Sequence, residues 1–196
     1  MQLHRTRKAS LALVLTGTVA LGLAGAVPAA GQDDAAAKIE NAMTAAPSSV
    51  SGNATILDNA VDADGKFVVL REGSNGWFCF PDYPGSPGND PQCLDQVWLD
   101  WQYAYFAGKE PSVTVVGLAY MLQGGSDPSN TDPLATAPAA GEDWVTTPPH
   151  TMILLPGPID QTVFTTDHHS GGPYIMWAGT PYEHIMMPIA DLEHAD

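Results

Sequence analysis

The residues of this chain best suited to chemistry are two histidines that each stand two positions before a methionine. His150 opens the segment HTMILLP, and His184 lies in YEHIMMPI. Because residues i and i+2 of a strand share a face, His150 points the same way as Met152, and His184 the same way as Met186. Imidazole nitrogen and thioether sulfur together suit copper, especially Cu(I). If the strands pair, these four residues form a metal site, with copper or zinc as the expected ion.

Two other interpretations of these histidines stay open. A methionine fills gaps in a core, and a histidine that opens a strand commonly hydrogen-bonds a neighbouring carbonyl, so the four residues are also typical of plain packing. Alternatively, His150 or His184 serves as the base of a hydrolytic enzyme, with Glu183 or Asp167 nearby. No Gly-x-Ser-x-Gly elbow, phosphate loop or His-Glu-x-x-His helix occurs in the sequence, which makes serine-hydrolase and nucleotide chemistry less favoured. Both an enzyme and a binding protein remain open.

Other polar clusters have a simpler explanation. His168 and His169 lie in TTDHHSGGP, which is typical of an exposed loop, although Asp167 could help them hold zinc. The segment SDPSNTDP offers hard oxygen donors for calcium, but the same residues build turns by bonding their own backbone. Turn chemistry is favoured.

The five tryptophans allow two interpretations. Tryptophans along a groove would indicate a site for a sugar or an apolar ligand. The spacing of Trp98 and Trp101 on one helical face favours core packing instead.

The N-terminus predicts export. Arg5, Arg7 and Lys8 precede the uncharged run ASLALVLTGTVALGLAGAVPAA, and small residues allow cleavage near positions 29–31. Residues 1–30 are therefore predicted to be a Sec-type signal peptide, and residues 31–196 a single secreted or periplasmic domain. No cysteine follows the run to carry a lipid, so a lipoprotein is not expected.

The charge of the mature chain limits its partners. The full chain has a formal charge of -15, and removal of residues 1–30 leaves four basic residues against 22 acids, or -18. Such a surface repels phosphate backbones and anionic lipids, so neither nucleic acid nor membrane is expected to bind after signal cleavage. A small ligand or a metal cation is the expected partner.

The two cysteines predict a structural disulfide. In an oxidising compartment Cys79 and Cys93 should pair, and their loop of about fifteen residues gives about 3 kcal/mol of stabilisation in the chain-entropy model. Between them, PDYPGSPGND is built from turn residues. Asp90 is predicted to cap a helix over 91–107 whose one face is aromatic.

The remaining segments predict an α+β fold with a mainly antiparallel sheet and two helices, one N-terminal over 33–46 and the aromatic-faced one after the disulfide loop. Strands are expected on either side of an acidic hairpin turn at 62–65, around the first cysteine, over 112–122, and in HTMILLP, PYIMW and YEHIMMPI. A long polar loop, 123–144, should follow the strand over 112–122.

Four segments carry a resemblance to known proteins: LREGSNGWFCFPDYPGSPGNDPQCLD, GLAYMLQGGSDPSNTDP, DWVTTPPH and PYIMWAGTPYEHIMMPI. The chain resembles, over roughly residues 35–190, an uncharacterised family of secreted bacterial proteins. That resemblance implies an exported bacterial protein and transfers no catalytic residue. The sequence thus predicts an exported domain that binds a small ligand or a metal. A hydrolytic enzyme and a structural envelope protein without a pocket are the alternatives.

Overall fold

The computed structural model describes residues 30–191, with side chains from residue 34 onward. The predicted signal peptide, apart from Ala30, and the C-terminal His194 lie outside the described residues. Within the described part of the chain, no helix is long and apolar enough to cross a membrane.

Three helices and ten strands make up the described residues. The helices are α1 (Ala30–Met43), α2 (Ser48–Ser51) and α3 (Gln96–Phe106). The strands are β1 (Thr55–Val61), β2 (Phe67–Arg71), β3 (Phe78–Phe80), β4 (Gln92–Leu94), β5 (Gly117–Met121), β6 (Gly125–Asp127), β7 (Val145–Thr147), β8 (His150–Leu154), β9 (Tyr174–Met176) and β10 (His184–Pro188).

Eight of the strands form one sheet in the order β2-β1-β3-β4-β5-β8-β10-β9. Every neighbouring pair is antiparallel except β1 and β3, which run parallel. The strands β6 and β7 form a separate two-stranded sheet. The α+β fold with a mainly antiparallel sheet is therefore confirmed, and α2 adds one helical turn that the sequence did not predict.

The acidic hairpin turn lies where the sequence places it. The carboxylate of Asp62 accepts hydrogen bonds from the backbone N–H groups of Asp64 and Lys66, each at 2.9 Å. Gly65 has a φ of 74°, a left-handed conformation that glycine adopts without steric cost. This turn connects β1 to β2.

The predicted start of the aromatic helix was wrong. Residues Gln92–Leu94 form β4, and α3 begins only at Gln96, capped by Asp95, whose carboxylate accepts from the backbone N–H of Trp98 at 2.9 Å. Cys93 and Leu94 lie opposite Cys79 and Phe78 of β3, so strand pairing overrides the local helical pattern. Asp90 does not cap α3 and instead lines a cleft between α3 and the sheet.

The disulfide is confirmed. Cys79 and Cys93 face each other across β3 and β4, and both side chains are fully buried. They belong to a small cluster beneath α1 that includes Ile56 and several alanines. The bridge thus fastens two central strands under the N-terminal helix.

The opposite face of the sheet carries the main core. Phe80, Leu94 and Leu154 pack there against Trp98 and other aromatic residues of α3. On the strands β8, β9 and β10 this same face presents histidine and methionine side chains, and it forms the base of the candidate site.

Candidate functional site

A cleft of about 480 Å³ lies between the main-core face of the sheet, helix α3 and the segment 122–148. Its base is formed by Met152, Met176, Met186 and His184. Aromatic residues of α3 form one wall, and residues of the segment 122–148, including Trp144, form the other. Tyr83, Ser86 and Asp90 contribute from the disulfide loop. The volume and the apolar lining with few polar groups are typical of small-molecule sites.

The register of β8, β9 and β10 fixes the base of this cleft. Met186 lies directly opposite Met152, and His184 lies directly opposite Met176. Residues paired across neighbouring strands project from the same face of a sheet. Three thioethers and one imidazole therefore lie side by side, as the alternation in HTM and HIM predicts for each strand.

The two histidines of the predicted metal site share this face but are not directly paired. His150 lies opposite Met121 and Pro188, and Pro188 is four positions from His184 along β10. At about 3.4 Å per residue, the two backbone positions are about 14 Å apart along the strands. His150 is fully buried, whereas His184 lines the cleft. Met152 and Met186 are the directly paired members of the predicted set, and each histidine lies two residues from one of them on the same face.

Both imidazoles are neutral and hold their proton on the same ring nitrogen. Nδ1 of His150 lies 2.7 Å from the carbonyl oxygen of Pro148, and Nδ1 of His184 lies 3.0 Å from that of Tyr182. A carbonyl only accepts hydrogen bonds, so each Nδ1 carries the proton and each Nε2 keeps a lone pair. Burial lowers the pKa of both histidines to about 4, and the nearby His150 also lowers that of His184.

The predicted catalytic partners of these histidines lie elsewhere. Glu183 accepts hydrogen bonds from the backbone N–H groups of Ile159 and Gly179, each at 2.8 Å, and so fastens two loops. Asp167 accepts from the backbone N–H of His169 at 2.9 Å. Neither carboxylate bonds to His150 or His184, whose Nδ1 atoms bond to carbonyls instead.

Metal binding stays a prediction. Among the residues described, no three His, Cys, Asp or Glu side chains are grouped so as to hold a metal ion. The candidate set contains two histidines, and its other members are methionines, which bind only soft metals well. His168 and His169 pack ring to ring, with centroids 3.9 Å apart, in the loop beside β9.

The aromatic wall is an ordered stack. The rings of Trp101, Tyr105 and Trp177 are parallel within 4°, with centroids 5.4 to 6.2 Å apart. Tyr182 and His184 meet this stack edge-on, at 79° to 89°. Stacked and edge-to-face arrangements both suit the charge distribution of aromatic rings. The wall presents π-systems in a fixed orientation.

Trp177 adopts a strained backbone to join the stack. Its φ is 56°, the left-handed region that a non-glycine residue rarely occupies. Its backbone N–H donates to the carbonyl of Asn130 at 2.9 Å, and its indole Nε1 donates to the carbonyl of Ser129 at 2.8 Å. The segment 122–148 thus holds Trp177 in place and forms the other wall of the cleft.

The same segment confirms turn chemistry in SDPSNTDP. Ser129 Oγ accepts from the backbone N–H groups of Thr131 and Asp132, and the Asp132 carboxylate accepts from that of Leu134. The hydroxyl of Tyr105 donates to the carbonyl of Pro133 at 2.6 Å. The predicted polar loop 123–144 therefore contains β6, ends directly before β7 and is fastened to α3.

Asp127 is the residue of the site that sequence reasoning missed. It ends β6 opposite Val145, lines the cleft and keeps part of its surface accessible, although it lies deep in the molecule. No hydrogen bond to its carboxylate occurs among the described residues. Burial, with a smaller contribution from Asp90, raises its pKa to about 7. In the sequence Asp127 was only one of several turn residues, because the short strand β6 was not recognised.

A second carboxylate lies in the same cleft. Asp90 accepts from Ser86 Oγ at 2.6 Å and from the backbone N–H of Tyr83 at 3.1 Å. Burial raises its pKa, and the two hydrogen bonds partly oppose that rise. Asp90 is thus satisfied by the protein, whereas Asp127 is not.

Comparison with known proteins gives no relative. No protein-family model, no curated protein and no solved structure matches the chain. The resemblance to secreted bacterial proteins stays a prediction, and the functional argument rests on the cleft itself.

Proposed function

We propose that this protein is a binding protein that takes a small organic ligand into the cleft between α3 and the sheet. The observation that carries the proposal is the 480 Å³ cavity, lined by stacked aromatic rings and methionines, with one carboxylate that the protein does not satisfy. Sites of this kind bury an apolar ligand body and orient it by a few polar groups. The presence of a cavity argues against the alternative of an envelope protein without a pocket.

Binding is favoured over hydrolysis by the partners of the two histidines. A histidine base is normally oriented by a carboxylate and placed beside a nucleophile or a water-binding group. Here Nδ1 of His184 donates to a backbone carbonyl, and Glu183 is occupied by two backbone N–H groups. With a pKa of about 4, His184 is a weak base at neutral pH.

A matched pair of variants tests the cleft. Ala135 lines the cavity, whereas Ala139, on the same segment, is exposed and does not. A panel of small aromatic compounds is screened by thermal shift and by tryptophan fluorescence, since Trp98, Trp101, Trp144 and Trp177 line the cleft. Ala135→Trp should abolish binding of the compounds found, and Ala139→Trp should preserve it. Equal binding by both variants, or no binding in the wild type, would refute the proposal.

A soft metal ion is the second candidate ligand. Met152 and Met186 are directly paired, and the Nδ1 hydrogen bonds of His150 and His184 leave Nε2 free, as in many metal-bound histidines. Titration with Ag(I), a redox-stable substitute for Cu(I), tests this set. Replacement of Met152 and Met186 by leucine keeps the apolar volume and should remove uptake, while His150→Phe tests the imidazole that does not line the cleft. Unchanged uptake in the double leucine variant would exclude this site.

We further propose that the mature protein acts in a secreted or periplasmic setting, with residues 1–30 as its signal peptide. The disulfide between Cys79 and Cys93 is compatible with an oxidising compartment. The formal charge of -18 on residues 31–196 supports a role away from nucleic acid and anionic membranes.

A further inference from the structure

We infer that the ligand is an organic cation, an amine or quaternary ammonium group on an apolar body, held between the carboxylate of Asp127 and the aromatic wall. This inference rests on the proposed binding function and names the chemical class of its ligand. It follows from three observations: the charges around the cleft, the missing partner of Asp127, and the orientation of the rings.

The cleft is lined by negative charge without any positive charge. Asp90 and Asp127 both line it, and none of its lining residues is lysine or arginine. The basic side chains of the described residues lie elsewhere. Lys38 pairs with Asp34 and Asp58, Arg71 bonds the carbonyls of Ser51 and Ala54, Lys66 lies over the ring of Tyr103, and Lys109 is exposed after α3. An anionic ligand would meet repulsion here without any compensating partner.

Of the two carboxylates that line the cleft, Asp127 is the one without a hydrogen-bond partner among the described residues. The groups that face it are Asp90 from the disulfide loop, Tyr105 from α3 and Tyr174 from β9, and none of them carries a positive charge. The hydroxyl of Tyr174 is already engaged with Thr147 Oγ1 at 2.7 Å. A partly buried carboxylate without a hydrogen-bond donor is costly, and a ligand ammonium group would supply both charge and donors or, if quaternary, charge alone.

The aromatic wall suits the same ligand. Trp101, Tyr105 and Trp177 lie parallel, and the faces of such rings carry the negative part of the ring quadrupole. A cation within about 6 Å of such a face is attracted to it, most strongly to tryptophan. Because Tyr105 and Asp127 both line the cleft, one ligand can meet both groups.

The test uses two soluble probes of the same shape. In (4-hydroxymethylphenyl)trimethylammonium a positive nitrogen replaces the central carbon of the tert-butyl group of neutral 4-tert-butylbenzyl alcohol, and the alcohol group of neither probe ionises between pH 5 and pH 8. At pH 8 the wild type should bind the cation at least about tenfold more tightly, as expected from combined cation–π and carboxylate attraction. Asp127→Asn should lose most of this preference and keep only the part due to the aromatic rings, while Asp143→Asn, an exposed charge change on the same segment, should keep the full preference.

The two proposals fail in different ways. If both probes bind the wild type with equal affinity, and Ala135→Trp abolishes both, the cleft is a binding site but the inference about charge is wrong. If neither probe nor any compound of the screen binds, the binding function itself is refuted. A preference for the cation that Asp127→Asn leaves undiminished would also overturn the assignment of Asp127.

Titration gives a further readout that a structural role of Asp127 would not produce. The quaternary ammonium keeps its charge at every pH, so a change in its affinity reports the protein alone. The preference for the cation should fall at least about fivefold between pH 8 and pH 5 as Asp127 takes up a proton. Because Asp90 also faces the site, the same profile is measured in Asp127→Asn, where the fall should be largely lost. A preference that does not change with pH in the wild type contradicts the inference.

Discussion

Asp127 should destabilise the folded protein at neutral pH, and its neutral isostere should relieve that cost. The pKa of this carboxyl is raised from its ordinary value of 3.8 to about 7 in the folded state. A raised carboxyl pKa means that the folded state holds the proton more tightly than the unfolded chain. Stability is therefore lost as pH rises from about 4 to about 7, and the full cost remains above pH 7.

The size of the effect follows from the shift. A difference of about three pKa units corresponds to about 4 kcal/mol, and the partial exposure of Asp127 to the cleft reduces this to about 2–4 kcal/mol. For a protein of this size, that is a rise in Tm of about 5–15 °C. Asp127→Asn should thus be clearly more stable than the wild type at pH 8 and nearly equal to it at pH 4.

The assay is urea unfolding of both proteins from pH 4 to pH 8, with the difference between them as the measured quantity. His150 and His184 have lowered pKa values, so they reduce stability as pH drops from 6.5 towards 4, which is opposite in sign to the effect of Asp127. Both proteins contain these histidines, so the difference in unfolding free energy between the proteins removes their contribution. Asp143→Asn is the control for a charge change on the exposed surface. A difference that stays constant with pH, or one that Asp143→Asn reproduces, would show that burial of Asp127 does not govern its titration.

Three further predictions concern other parts of the molecule. Replacing Cys79 and Cys93 together by alanine should lower the free energy of unfolding by about 3 kcal/mol in denaturant titrations, and an unchanged value would mean that the bridge adds nothing. His150 and His184 should keep neutral, Nδ1-protonated rings from pH 5.5 to pH 8 in ¹⁵N NMR spectra, so a titration near pH 6.5 at either ring would contradict their burial. Protein recovered from the exported fraction should begin near residues 30–32 by intact mass, whereas an uncleaved N-terminus would show that residues 1–30 are not a cleaved signal peptide.

The sequence predicts much of this fold where a local pattern agrees with the tertiary environment. The alternation in HTMILLP and YEHIMMPI correctly places His150 with Met152 and His184 with Met186 on one face, since side chains of a strand alternate regardless of context. The Asp-Gly of the acidic turn is also a local signal. The disulfide is predicted because the chain contains two cysteines, which leaves a single possible pairing within it. The register between β8 and β10 depends on both strands, so the sequence of either strand alone does not predict it. This register places His150 opposite Pro188, four positions along β10 from His184.

The missed elements are short and depend on distant partners. Gln92–Leu94 forms a strand because β3 and β5 lie on either side of it, although Asp90 and Pro91 locally favour a helix start. Residues 125–127 and 145–147 pair across an intervening stretch of seventeen residues, and neither has a recognisable β pattern. Asp127 lies in the cleft because β6 pairs with β7, so its neighbours in sequence do not reveal that it lines a binding site.

The way in which the segment 122–148 is fastened leaves its side chains free to diversify. The acceptors contributed by Ser129, Asn130 and Pro133 are main-chain carbonyls, which every amino acid provides. Substitutions at Leu134, Ala135 or Thr136 would reshape one wall of the cleft while those anchors persist. Such an arrangement lets selection, or a protein engineer, alter ligand preference by point mutation without rebuilding the scaffold.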